Sequence, residues 1–330
     1  MKYFCTLFNL RFLPQGLALH ESLKKHCNDF HLYIFAFDDK CYKILKNLNL
    51  EYTSIISLSE FEDEELLRVK PTRTLGEYCW TCTSSTILYV LEKYKLDHCT
   101  YIDADLYFYS SPDALLNELG DKSVLITEHR FSPNYLQSKS FGKYCVQFIT
   151  FKNDDNGLEV LKWWRNACIE WCYAKLEDGK FGDQKYLDDW TTRFDGIHEL
   201  QHMGGGVAPW NVQQYSISKK HNKIYIKQNN QNIKFEVIFY HFHTVKFNEI
   251  NHITNKSWYK IPKKVEKLIY EPYIKHLRRI SKQINSIEVI KPPYKVPSPW
   301  EIREIQRNIK RKFYIILKFL LGMKDIKDNI

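Results

Sequence analysis

Over its first hundred residues the chain switches repeatedly between two hydrophobic periods, and that alternation restricts the fold more than any other feature. Apolar runs at 3–9 (YFCTLFN), 30–38 (FHLYIFAFD) and 99–103 (CTYID) read as strands, and the longer patterns at 14–27 and 74–94 read as helices. A strand, a helix and a second strand in succession demand a crossover, which gives a parallel sheet with helices packed on it. In such sheets the loops at the carboxyl ends of the strands face the ligand. Further strands are expected at 123–129, 144–152 and 235–244, and a helix at 157–178. Ser111, Pro112 and Gly120 mark the cap, first turn and stop of a short helix between them.

The strand at 99–103 runs into YIDADLYFYSSP, residues 101–112, so Asp103 and Asp105 stand one residue apart at the end of an apolar run. Alternate residues of a straight strand lie about 6 to 7 Å apart, too far for both to hold one ion. Leaving the strand at Ala104 would let them converge. Two carboxylates repel and are costly to desolvate, which makes a divalent cation with substrate phosphates their natural partner. The competing reading is a solvated acidic turn.

Four segments in order resemble the nucleotide-sugar glycosyltransferases of the GT-A class, most closely glycosyltransferase family 8. They are YIDADLYFYSSP, GDQKYL at 182–187, APWNV at 208–212 and YHFHTVK at 240–246. The resemblance covers roughly residues 1 to 250. It implies a GT-A fold, Rossmann-like and mostly parallel, over 1–255, with a nucleotide-binding half at about 1–110 and an acceptor half at about 111–255.

It also implies Asp103, Asp105 and His241 as ligands of Mn²⁺ or Mg²⁺, with His243 as the alternative to His241 two residues on. Asp103 would lie near the ribose as well, and Lys246 would face the departing diphosphate. Thr6, Asn9, Asp38 and Asp39 would line the nucleoside pocket, with Glu77 and Trp80 nearby. Asp183 and Gln184 would flank the sugar's anomeric carbon, although an aspartate before QKYLDDW also suits a helix cap. Gly204, Gly205 and Gly206, with Trp210 and Asn211, would face the sugar or acceptor, since consecutive glycines allow close backbone approach. The implied activity is transfer of a hexose from a UDP-sugar, with retention, to a glycan or lipid-linked acceptor in polysaccharide or lipopolysaccharide synthesis. The chain departs from the family at CVQFITF (145–151), which replaces an Asn-Ala-Gly strand, and in lacking Pro-Trp after the late lysine. Gln147 falls where the asparagine would be.

Nine cysteines are scattered through apolar context, an odd number that suits reduced thiols rather than a disulfide framework. Cys79 and Cys82 have the spacing of half a zinc site but no second pair to complete it. No run is long and apolar enough for a bilayer span. The net charge of +9 is unevenly placed: residues 256–330 carry 19 Lys/Arg against 7 Asp/Glu, and the rest of the chain is slightly acidic.

Within 299–322, Trp300, Ile302, Ile305, Ile309, Phe313, Ile316, Leu317 and Leu320 recur at helical spacing among Arg303, Arg307, Lys310, Arg311 and Lys318. This basic amphipathic helix either meets an anionic membrane surface or packs back on the domain. The expected location is the cytoplasm, with the inner membrane face as the peripheral site. Nucleic acid is not an expected partner, because the aromatics form no stacking face. A sugar nucleotidyltransferase and a non-catalytic membrane-associated module remain as rival readings, although the first strand is followed by no glycine-rich phosphate loop.

Overall fold

The computed structural model describes residues 1–229, 233–247, 253–255 and 259–287, without the side chains of 137–139, 246–247, 253–255 and 285–287. The expected basic helix at 299–322 lies outside the described residues. A seven-stranded sheet runs in the order β3-β2-β1-β4-β7-β6-β8. Its strands are β1 (Lys2–Phe8), β2 (Phe30–Ala36), β3 (Thr53–Ser57), β4 (His98–Ile102), β6 (Val124–Glu128), β7 (Tyr144–Lys152) and β8 (Ile197–Glu199), while β5 (Leu106–Phe108) stands apart. β1 pairs in parallel with β2 and β4, β2 with β3, and β6 with β8; β7 runs antiparallel between β4 and β6. This is the mixed, mostly parallel α/β architecture expected from the alternation.

The helices follow from local signals. In order they are α1 (Leu13–His26), α2 (Asp39–Leu48), the short α3 (Leu58–Phe61) and α4 (Glu64–Val69), α5 (Leu75–Tyr94), the single turn α6 (Asp113–Leu116), α7 (Asp155–Glu170) and α8 (Trp190–Arg193). α5 opens on a capping box, in which Thr74 Oγ1 accepts from Glu77 N and Glu77 accepts from Thr74 N. α2 and α7 start on the carboxylates of Asp38 and Asp154. α6 begins one residue later than expected, because Ser111 Oγ accepts from Asp113 N and Pro112 takes the cap position.

Two sequence expectations fail for tertiary reasons. The helix expected at 157–178 stops at Glu170, where the Tyr186 hydroxyl donates to the carbonyls of Ala167 and Trp171 and Arg73 donates to that of Ile169. These donors satisfy the end of the helix in place of a further turn. The single strand expected at 235–244 is divided between two sheets. β9 (Tyr215–Lys220), β10 (Lys223–Gln228) and β11 (Lys234–Glu236) form one three-stranded sheet; β12 (Phe239–His241) leaves it to pair with β5, and β13 (Val245–Phe247) pairs with β14 (Ile253–Asn255).

α9 (Lys263–Val265), a π turn at Glu266–Tyr270 and α10 (Glu271–Ile287) complete the described chain. α10 belongs with the sheet, in a compact unit running from Met1 to Glu288. Its buried Tyr273, Leu277, Ile280 and Ile284 supply an apolar face, and His276 links Glu21 of α1 to the Tyr107 hydroxyl. Among the described residues no helix is long and apolar enough to cross a membrane. All nine cysteines are free thiols.

Candidate metal and sugar site

β4 ends at Ile102, and the chain turns at once: Leu106 N donates to the Asp103 carbonyl at 3.1 Å, with Ala104 at the bend. The turn lets Asp103 and Asp105 converge where an extended strand would hold them apart. The pairing of β12 with β5 then delivers the histidine, because His241 lies directly opposite Leu106, one residue past Asp105. Phe242 N donates to the Asp105 carbonyl at 3.0 Å and fixes that register. One ligand atom each from Asp103, Asp105 and His241 lies within 4.8 Å of the others. His241 Nε2 is 3.0 Å from Asp105 Oδ1 and 3.7 Å from Asp103 Oδ2. His243 lies beyond the end of β12, exposed, and is not part of this group.

The electrostatics fit a cation. Burial pushes the Asp103 carboxyl up to about 6, with His241 opposing and Asp105 adding to the rise. Burial also raises Asp105, but the charge and hydrogen bond of His241 outweigh it and hold the carboxyl below its usual value. Burial pulls the His241 imidazole down, and Asp105 and its neighbours more than reverse that, leaving it well above an ordinary histidine. Asp105 is thus the main partner of a protonated His241. Two carboxylates and one imidazole at these spacings form a donor set that a divalent ion can use.

Asp183 is the third acidic group here. It is 5% exposed, and burial followed by the charge of Asp103 pushes its carboxyl up to about 7. Although it stands at the start of the turn Gln184–Asp189, its side chain makes no capping bond. Its backbone carbonyl accepts from Trp164 Nε1 at 2.9 Å, which anchors the segment to α7. Gln184 Nε2 donates to the Phe141 carbonyl at 2.9 Å. Gly182 has φ of +54°, and a Cβ there would lie 3.3 Å from the Trp80 ring, which packs also on Phe181.

Several expected pocket residues have structural duties instead. Trp210 and Asn211 are 4% and 1% exposed, and their N–H groups go to backbone carbonyls: Trp210 Nε1 and Asn211 Nδ2 to His129 O, Asn211 Nδ2 also to Gly206 O. The Trp210 ring packs edge-on against His241 at 5.2 Å and so supports that side chain, while Asn211 ties together the backbone of 129 and 206. Gly204, Gly205 and Gly206 are required by the protein's own packing. A Cβ would meet the Glu236 carbonyl oxygen at 1.8 Å, Leu200 at 2.7 Å and Thr127 at 2.9 Å respectively, and Gly206 has φ of +88°. The Glu77 carboxylate accepts from Thr74 N and Ala174 N.

At the ends of β1 and β2, Asp38 accepts from Leu10 N and Cys41 N, both at 2.7 Å, and so ties the two loops together. Asn9 accepts from Arg11 N, Asp39 is exposed in the first turn of α2, and Thr6 is buried with its hydroxyl unpartnered among the described residues. Lys246 lies in β13, its side chain outside the described part. Sequence reasoning placed Gln147 only by analogy with an asparagine. In the structure its backbone carbonyl accepts from Asp103 N at 3.0 Å, and its Oε1 is 2.8 Å from His241 Nδ1.

Fold and site together define a mixed α/β protein with a partly buried Asp-Asp-His centre at the carboxyl end of β4. No protein-family model matches the chain. Two proteins of Bacillus subtilis (strain 168) do. The uncharacterized protein YfnD is 31% identical over 289 residues, covering 86% of this chain and 91% of its own length. The uncharacterized protein YfnF is 30% identical over 296 residues, covering 86% and 94%. The chain belongs to the family of YfnD and YfnF. Among solved structures, the galactosyltransferase LgtC in complex with donor and acceptor sugar analogs aligns over 81% of this chain and 99% of its own, at a TM-score of 0.45 and 11% identity. Nothing about substrate or mechanism rests on that likeness.

Proposed function

We propose that the protein is a metal-dependent glycosyltransferase that moves a sugar from a nucleoside diphosphate, UDP foremost, to a glycan or lipid-linked acceptor of a cell-surface polysaccharide or lipopolysaccharide. The observation that carries this reading is the convergence of Asp103, Asp105 and His241 at the carboxyl end of β4, with buried Asp183 close enough to feel the charge of Asp103. The sequence resemblance to glycosyltransferase family 8, carried in part by the same residues, supports it.

Asp103, Asp105 and His241 would hold the cation, and an imidazole in the set favours Mn²⁺ over Mg²⁺. When bound, the ion supplies Lewis-acid neutralisation of a leaving diphosphate. The Tyr101 hydroxyl donates to Asp103 Oδ1 at 3.1 Å and fixes the outer carboxylate. Asp183 presents a buried carboxyl that ionises near pH 7, and the negative charge it then carries is worth most where positive charge develops, at the glycosyl carbon of an oxocarbenium-like transition state. With Gln184 Nε2 committed to the Phe141 carbonyl, its amide oxygen is the end left to face the substrate. Lys246 is assigned to the diphosphate. The basic segment at 299–322 would bring the site to an anionic membrane surface, which flotation of the full chain with anionic vesicles tests.

The direct test is release of UDP from a panel of UDP-sugars with Mn²⁺ present. At least one donor is expected to be hydrolysed slowly without acceptor, and EDTA to stop the reaction. Asp183→Asn is expected to lower that rate by about 10²-fold while leaving UDP and Mn²⁺ affinity within a few-fold, the signature of an interaction made in the transition state. An unchanged rate in Asp183→Asn would remove Asp183 from the mechanism, and no release from any donor would contradict the transferase reading.

A further inference from the structure

We propose that Gln147 is the positioning residue that turns His241 into a metal ligand, by holding the imidazole with Nδ1–H toward β7 and Nε2 toward the two carboxylates. The inference rests on the metal-binding reading above and extends it to a residue outside the donor set. Gln147 lies on β7 and is fully buried, at 0% exposure. It touches both arms of the centre, its backbone carbonyl accepting from Asp103 N and its side-chain Oε1 facing His241 Nδ1 at 2.8 Å.

An amide oxygen can only accept, so the nitrogen facing it carries a hydrogen. The other nitrogen, Nε2, is thereby the one presented to Asp105 and Asp103. A metal-bound histidine commonly donates its second N–H to such a partner, and the loss of that partner costs about 10- to 100-fold in metal affinity.

The opposite end of the amide supplies a second, independent argument. Gln147 Nε2 is buried without a hydrogen-bond partner among the described residues. It lies where a Cβ on Gly206 would come within 3.1 Å, so the absence of a side chain at 206 leaves room for it. An orphaned buried donor lowers stability, and a methionine or leucine there would remove this one but leave the buried His241 Nδ1–H without its acceptor. The position keeps a glutamine at a cost to the fold, as expected if its oxygen is needed. The Trp210 ring, edge-on to His241, and the Cys145 thiol beside it fill the remaining sides of the imidazole.

The test uses the full chain and Mn²⁺ alone, titrated calorimetrically into the wild type, Gln147→Met and Gln147→Glu. Gln147→Met is expected to bind Mn²⁺ 10- to 100-fold more weakly, with a melting temperature within a few degrees of the wild type, because it removes the orphaned Nε2 but takes the acceptor from His241 Nδ1–H. Gln147→Glu keeps an acceptor for Nδ1–H and is expected to bind within a few-fold of the wild type or tighter, while the metal-free protein melts lower because a charge has been buried. Long-range ¹H–¹⁵N spectra of histidine-labelled, Mg²⁺-loaded protein, with His241→Ala for assignment, read the protonated nitrogen directly. They should show Nδ1–H in the wild type and a changed signal in Gln147→Met.

Equal Mn²⁺ affinity in wild type and Gln147→Met, or equal weakening in both variants, overturns the positioning role. A wild type that binds neither ion overturns the metal reading beneath it, so the two failures are told apart.

Discussion

Asp105→Ala is expected to abolish Mn²⁺ binding measurable by calorimetry and to lower kcat/KM for donor hydrolysis by at least about 10³-fold, a loss of about 4 kcal/mol of transition-state stabilisation. Among the described residues Asp105 is the carboxylate nearest His241 Nε2, at 3.0 Å, and its side chain is only 15% exposed. Removing it leaves two donors where three stood and deprives the His241 proton of its main counter-charge. The fold should tolerate the change. The backbone bond from Phe242 N to the Asp105 carbonyl, which fixes the register of β12, does not depend on the side chain. Circular dichroism and melting temperature close to the wild type, with binding lost, are the expected pair of results. A Mn²⁺ affinity within threefold of the wild type would show that the ion, if bound, is held elsewhere.

The second large effect is on folding. Gly204→Ala is expected to destabilise the protein by about 3 kcal/mol or more, because overpacking against an element that cannot rotate away lies at the upper end of such costs. The added Cβ would lie 1.8 Å from the Glu236 carbonyl oxygen, which is backbone, and Gly204 O also accepts from Ile238 N at 2.9 Å. Moving the 204 turn off the 236–238 segment displaces the stretch that leads directly into β12 and His241, so Mn²⁺ affinity should fall with the melting temperature. Gly76→Ala serves as the control. It lies in the first turn of α5 with nothing within 4 Å of its Cβ, and alanine there should be neutral or stabilising by up to about 1 kcal/mol. Similar thermal denaturation for Gly204→Ala and the control would remove the packing explanation for the glycine run.

How far the sequence revealed this site depends on the distance over which each contact acts. Asp103 and Asp105 were legible because the apolar run, the bend and the following cap lie within a dozen residues. The choice between His241 and His243 was not, since both lie in one apolar stretch; it is made by β5, more than a hundred residues away, whose pairing with β12 aligns His241 with Leu106. Trp210, Asn211 and the three glycines were correctly singled out as unusual. The packing and backbone bonds that hold them come from distant segments, which no local pattern reveals. Gln147 reads as one polar residue in a buried strand. Its meaning depends on β7 running antiparallel to β4, which places it beside Asp103, and on β12 placing His241 within reach of its side chain.

The measurement that bears most directly on the central claim is a crystal structure with UDP and Mn²⁺, using anomalous scattering at the manganese edge. A single strong peak is expected within about 2.0 to 2.4 Å of one oxygen each from Asp103 and Asp105 and of His241 Nε2, with the diphosphate completing the shell. UDP bound with no anomalous peak between these three residues, or manganese held by other groups, would contradict it.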